Sequence, residues 1–340
     1  MSEAKRRRLD AVLVTGQSGI RALTGIDCDS ARLVLRPFEV AKGRRVALYT
    51  DFRYAAMVRR VAPWIAVRTS RDLHLGAARA GCEFSMPHSR FEALRKANPR
   101  TRFADVGEAL SALRAVKTAA EVDGIRHAEE VTCGIWNEAS AKFRAGMTER
   151  EMANVIRAMM FERGDGEAFD TIVCVGANAA ECHHVPDGTV WNGREPVLVD
   201  MGARVGGYCS DLTRNLVPAR QGALYRRVYS LVLKANLAAI AAVKPGRTCG
   251  EIDAVARRII RDGGFGRCFG HSLGHGVGFD VHEAPVARRG NKAKLEPGMT
   301  ITIEPGVYLE GNLGVRIEDL VLVTGDGCEV LSSAAGKQEG

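Results

Sequence analysis

Residues 196–214 read Pro-Val-Leu-Val-Asp-Met-Gly-Ala-Arg-Val-Gly-Gly-Tyr-Cys-Ser-Asp-Leu-Thr-Arg, and this stretch decides the fold. Val197, Leu198 and Val199 form an apolar strand-like run that ends on Asp200. Gly206-Gly207 marks a tight turn, and Tyr208 begins a second extended segment that carries Asp211. A Gly-Gly pair between two such segments predicts a β-hairpin, since the favoured two-residue turns need positive φ. Two carboxylates on paired strands can turn into one cleft. An acid inside an apolar strand is costly unless it is paired or bound to a cation.

Working outward, the same logic recurs three times. His275 lies in Gly270-His-Ser-Leu-Gly-His-Gly-Val-Gly278. Glu304 closes Thr300-Ile-Thr-Ile303, and Glu318 follows Gly314-Val-Arg-Ile317. Each residue alone is more often structural than a ligand: an Asp at a strand end commonly caps a turn. The ordered set carries the signal. Four carboxylates converging without cations repel and raise one another's pKa. Asp200, Asp211, His275, Glu304 and Glu318 are therefore read as ligands of two divalent ions. One imidazole and no thiolate suit Mn, Co, Fe or Zn, and the oxygen-rich set favours Mn.

The rear half also contains an internal repeat. Gly146-Met-Thr148-Glu-Arg-Glu151 matches Gly246-Arg-Thr248-Cys-Gly-Glu251, and Arg157 and Gly164 match Arg257 and Gly264, all in one register. Thr followed three residues later by Glu predicts a helix N-terminus closed by a capping box. Two related halves would create a site where they meet. Helices are expected over 118–143, from 148, and over 222–243 and 250–262, with strands at 169–175 and 320–323. In the front half, strands are expected at 10–15, 31–35 and 45–50. Helices are expected at 52–61, at 70–80 and just after Phe103-Ala-Asp-Val106.

Composition sets the bounds. With 46% hydrophobic and 26% charged residues the chain is globular, and its 340 residues suffice for two domains. No apolar run reaches a membrane span, and the basic N-terminus lacks a secretory core, so a cytoplasmic protein is expected. The nine cysteines form no C-x-x-C pair, against both a disulfide framework and a thiolate zinc knuckle. The net charge of +8 is uneven: residues 1–112 carry 21 Lys+Arg against 11 Asp+Glu. Their arginines show no aromatic interleaving and no nucleic-acid module, so they read as a solvated surface. The domain boundary is placed after residue 112, where the charge balance changes.

Residues 113–340 resemble the pita-bread metallopeptidases, which include methionine aminopeptidase, Xaa-Pro aminopeptidase and prolidase. The strings that carry the likeness are Val199-Asp200-Met-Gly-Ala203, Tyr208-Cys-Ser-Asp211, Gly274-His275-Gly-Val-Gly278, Ile303-Glu304-Pro-Gly306 and Arg316-Ile-Glu318-Asp319. Residues 1–112 resemble the smaller creatinase/prolidase-type N-terminal domain, through Arg21-Ala-Leu-Thr-Gly25 and Thr50-Asp-Phe-Arg-Tyr54.

The resemblance implies an α+β fold: a pita-bread catalytic domain with a pseudo-twofold repeat behind a small α/β domain. It implies that Asp200 chelates one metal, that His275 and Glu304 chelate the other, and that Asp211 and Glu318 bridge both. Glu304 would also move a proton, His183 and His282 would bond the substrate, and Arg316 would support Glu318. It implies a homodimer acting on small peptides at Xaa-Pro bonds.

His184 is expected at the surface or just behind the site, and His271 near the cleft. Prolidases of this kind carry an Arg after the His-Glu-x-Pro string. Here that position is Val286, with Arg288 and Arg289 as possible substitutes, which favours an aminopeptidase over a dipeptidase. The rival readings are a metal-free creatinase-type hydrolase and a non-catalytic peptide-binding protein on the same fold.

Overall fold

The computed structural model describes residues 4, 6–39, 45–70 and 72–337. The chain divides into two compact units, residues 1–114 and 115–340. No described helix is long and apolar enough to cross a membrane.

The first unit is an α/β layer. Its elements are β1 (Ala11–Val14), α1 (Gln17–Thr24), β2 (Arg32–Leu35), β3 (Val46–Tyr49), α2 (Phe52–Val61), β4 (Ala66–Arg68), β5 (Arg79–Cys82), α3 (His88–Ala97), β6 (Arg102–Asp105) and α4 (Gly107–Ala115). The strands form one mixed sheet in the order β4-β3-β2-β1-β5-β6. Alternation sends Val12, Val14, Leu33 and Leu48 to one apolar core and Ala11, Leu13 and Val34 to the other. A strand buried on both faces reads as an unbroken apolar run, which is why Ala-Val-Leu-Val is legible.

The helix expected at 70–80 is corrected. Residues 72–78 run without regular structure into β5, and Arg71 lies outside the described residues. Leu73, Leu75 and Ala77 are buried while their neighbours are exposed, a period of two rather than 3.6. The Asn98 side chain holds this extended course: it accepts from Leu75 N–H at 2.7 Å and donates to Leu73 O at 2.7 Å.

The second unit opens with α5 (Ala119–Ser140) and α6 (Glu149–Arg163), followed by β7 (Gly166–Glu167) and β8 (Ile172–Val175). Next come β9 (Val197–Met201), β10 (Ala203–Val205), β11 (Tyr208–Cys209) and β12 (Leu212–Leu216). The second half holds α7 (Ala223–Ala242), α8 (Cys249–Ile260), β13 (Gly274–Gly276) and β14 (Glu283–Ala287). It ends with β15 (Thr300–Ile303), β16 (Gly306–Leu309), β17 (Leu313–Arg316), β18 (Asp319–Val323) and β19 (Cys328–Val330). The hairpin read at Gly206-Gly207 joins β10 to β11, with φ of 56° and 79° at the two glycines.

The repeat is visible in the backbone. Thr148 and Thr248 each close a capping box with the Glu three residues on. Gly146 N–H donates to Trp191 O, and Gly246 N–H donates to Leu295 O. Each half also has its own apolar core. One packs α5 and α6 on β8, β9 and β12, and the other packs α7 and α8 on β15, β17 and β18. Where the halves meet, Glu318 N–H donates to Thr213 O, and the Asn215 amide donates to Arg316 O at 2.7 Å.

Candidate metal centre

That seam holds the acids. Asp200 lies on β9, opposite Thr213 of β12, and Asp211 immediately precedes β12. Glu304 directly follows β15, and Glu318 sits between β17 and β18. His275 is the middle residue of β13. Gly274 and Gly276 flank it because a Cβ at either would collide with backbone, Thr302 O in one case and Ala284 O in the other.

A single cavity of about 610 Å³ is lined by Asp200, Asp211, His275, Glu304 and Glu318, together with His183, His271, His282 and Arg316. The ligand atoms of Asp211, His275 and Glu318 all lie within 4.8 Å of one another. His275 Nε2 is 3.3 Å from Glu304 Oε1 and 3.6 Å from Asp211 Oδ2. Asp200 Oδ1 is buried without a hydrogen-bond partner. A buried unpaired carboxylate oxygen beside three other acids is costly in any protein and natural for a cation ligand. The residues therefore fit a divalent-metal centre.

The charges behave as such crowding requires. Burial pushes Asp211 well above the usual carboxylate range, and Glu318, Asp200 and Glu304 add to the rise. Burial does the same to Glu318, reinforced by Glu304 and Asp200. Burial also opposes ionisation of Glu304, but the hydrogen bond and charge of His275 outweigh it and hold Glu304 low. His275 is correspondingly raised: burial disfavours its charge, and Glu304 overcomes that.

A stability prediction follows from the sign of these shifts. Asp211 and Glu318 hold protons in the folded metal-free protein that the unfolded chain has already lost. Their contribution is present below the ordinary carboxylate pKa and disappears as pH rises through the raised values. Bound cations replace those protons. The gain in melting temperature on adding Mn2+ to chelator-treated protein should therefore grow between about pH 5 and pH 8. A gain independent of pH would contradict this account.

The structure bears on three expectations around the acids. Arg316 does not touch Glu318 directly. Its Nη2 donates to Asp200 Oδ2 at 2.6 Å, and its Nε donates to Thr213 Oγ1 at 3.0 Å. Thr213 Oγ1 in turn donates to Glu318 Oε2 at 2.7 Å, so arginine and glutamate are linked only through the threonine. Arg316 is buried, and a buried guanidinium needs an acid partner, which Asp200 supplies. Of its two expected places, His184 takes the one just behind the site rather than the surface. It is buried against Glu149, whereas His183 is exposed at the cavity. Arg289 lines a separate arginine-rich cleft with Arg257, Arg258 and Arg267. Val286 pairs with His275 in the β13–β14 ladder.

Several supporting residues escaped the sequence reading. Tyr308 OH accepts from Arg316 Nη1 at 3.0 Å and lies 2.9 Å from His271 Nε2, which gives His271 a place behind the acids. Thr302 Oγ1 accepts from His275 N–H and donates to Glu304 Oε1, joining the two. Glu129, fully buried on α5, accepts from Asp211 N–H at 3.2 Å, and burial pushes its pKa up to about 8. A signal existed for it: Glu129 sits on the otherwise apolar face made by Ile125, Ala128 and Trp136.

Comparison with known proteins agrees with this arrangement. Residues 123–325 match metallopeptidase family M24, and residues 2–116 match the creatinase/prolidase N-terminal domain. A Staphylococcus aureus protein described as an uncharacterized peptidase is 40% identical over 231 residues. That match spans 68% of this chain and 66% of the relative, just under two thirds of its length. An Xaa-Pro dipeptidase from Bacillus anthracis superposes with a TM-score of 0.92 at 30% identity, covering 99% of this chain and 96% of that one. An X-Pro aminopeptidase from Thermotoga maritima gives 0.86 at 30% identity, covering 97% of each chain. The chain belongs to metallopeptidase family M24, with a pita-bread catalytic domain behind a creatinase/prolidase N-terminal domain.

Proposed function

We propose that this protein is a two-metal exopeptidase that removes the N-terminal residue from peptides, with Xaa-Pro bonds as its substrates. The observation that carries this reading is one cavity lined by four carboxylates and an imidazole, with two further imidazoles, His183 and His282, exposed at it. Solved relatives named as an Xaa-Pro dipeptidase and an X-Pro aminopeptidase support the bond type. Val286, in the place where a carboxylate-binding arginine would stand, favours an aminopeptidase over a dipeptidase.

In this reading Asp200, Asp211, His275, Glu304 and Glu318 would hold two divalent ions. When bound, two divalent ions supply an ionised water and a polarised scissile carbonyl. The remaining work belongs to the chain. Glu304 would accept the proton of the attacking water and pass it to the departing prolyl nitrogen. His183 and His282 donate hydrogen bonds to the oxygen on which charge develops. Burial holds the pKa of His282 below its ordinary value, with the His275 charge adding to this in the metal-free protein, and a neutral imidazole still carries one N–H donor. Arg316 fixes the rotamer of Asp200. Manganese as the native ion, a homodimer, a cytoplasmic location and a catalytic domain that begins near residue 113 belong to the same proposal.

The test is a panel of Xaa-Pro dipeptides and longer Xaa-Pro peptides assayed with added Mn2+, Co2+ or Zn2+. Cleavage of the longer peptides at rates at least equal to the dipeptides is expected. Cleavage of dipeptides alone would make the protein a dipeptidase. No cleavage with any ion would end the peptidase reading.

A further inference from the structure

His183 is followed by a histidine that faces the other way, into a buried acid. Glu149, the first residue of α6, is completely enclosed. Its Oε1 accepts from Val175 N–H at 2.6 Å and from the Asn178 amide at 2.9 Å. Its Oε2 accepts from Asp187 N–H at 3.2 Å and lies 2.7 Å from His184 Nε2. One carboxylate thus gathers the segment from Val175 to Asp187, the segment that carries His183. The far end is fixed as well. Glu149 N–H donates to Thr189 O and Arg150 N–H donates to Asp187 O, while Asp187 Oδ1 caps Thr189 N–H at 2.6 Å.

His184 supplies the side-chain bond nearest to His183. Only 9% of it is exposed, and its Nδ1 lies 3.1 Å from Glu181 Oε2. With a carboxylate at each ring nitrogen, the imidazolium form satisfies both contacts. Burial opposes that charge, but Glu149 and Glu181 together raise the pKa of His184 above its ordinary value.

The ligand atoms of Glu149, His184 and Asp187 also lie within 4.8 Å of one another, as in a metal site. A carboxylate has about four acceptor positions. Those of Glu149 already meet three N–H donors and the imidazole, which leaves none for a cation.

We propose that His184, through its pair with Glu149, is a positioning residue that aims His183 at the substrate carbonyl. This rests on the reading of His183 as a substrate contact. Anchoring one of two adjacent residues fixes the backbone of both, so the His183 donor is already oriented when charge develops. Loss of the anchor leaves His183 in place chemically but free to wander.

A double-mutant cycle in the metal-loaded full chain tests this. His184→Phe should lower kcat on an Xaa-Pro peptide on the order of 10- to 100-fold, with a smaller change in KM. His183→Ala should lower it at least as much. Adding His184→Phe to His183→Ala should cost almost nothing more, since there is no longer a donor to aim. His184→Gln, which keeps a donor toward Glu149, should recover most of the loss. If His184→Phe does not fold, His184→Ala takes its place in the cycle.

Each failure has its own signature. Additive losses in the double variant would overturn the positioning role while leaving His183 intact. Full activity of His183→Ala would remove the contact on which the role depends. Wild-type inactivity on every Xaa-Pro peptide would overturn the functional reading itself and this role with it. An additional bound metal that disappears in His184→Phe would reassign the cluster as a cation site.

Discussion

Asp211→Ala will leave a folded protein that cannot hold its full complement of divalent ions, and kcat/KM on an Xaa-Pro peptide will fall by roughly 10³-fold or more. The size follows from the several kcal/mol that metal polarisation contributes to a carbonyl transition state, at 1.36 kcal/mol per decade of rate. Asp211 lies within reach of both His275 and Glu318, so its loss opens the middle of the ligand set. The same substitution has an opposite effect on the metal-free protein. Asp211 is fully enclosed and is raised by Glu318, Asp200 and Glu304 as well as by burial. Removing it spares the fold the cost of protonating or ionising a buried carboxyl among other acids, so chelator-treated Asp211→Ala should melt no lower than chelator-treated wild type. Metal content by atomic emission, the initial rate and two melting curves check all three statements. Wild-type metal content in the variant would mean that these acids do not hold the ions.

Lys117→Ala should be strongly destabilising. Lys117 Nζ lies 2.8 Å from Glu283 Oε1, and each side chain is only 3% exposed. Removing one partner of a buried pair strands the other charge, at a cost of about 3–5 kcal/mol. For a unit the size of residues 115–340 that is roughly a 6–20 °C fall in melting temperature. Glu283 begins β14 and directly follows His282, so activity should fall with stability. Replacing both partners, as Lys117→Met with Glu283→Gln, should recover much of the stability because no charge is left unpaired. A fall of under about 2 °C for Lys117→Ala would show that water or another group compensates the glutamate.

The two predictions differ in how visible their residues were beforehand. Asp211 stands out because an acid beside an apolar strand and a Gly-Gly turn is a local contradiction. Lys117 gave no such sign. It lies just before a capping box at Thr118, where a lysine is commonplace, and its partner is far along the chain.

The same division runs through the molecule. Sequence alone determined the features that depend on neighbours in the chain. These are the capping boxes at Thr148 and Thr248, the hairpin at Gly206-Gly207 and the apolar strands that end in acids. Capping, turn chemistry and side-chain alternation act over two to four residues, so the order of residue types expresses them directly. Only the tertiary structure decided that Arg316 holds Asp200, 116 positions away, or that His184 turns inward to Glu149. It also decided that residues 72–78 run extended under the grip of Asn98. A buried polar group takes whichever complementary partner the packed fold brings within about 3 Å, and that choice exists only once distant segments meet.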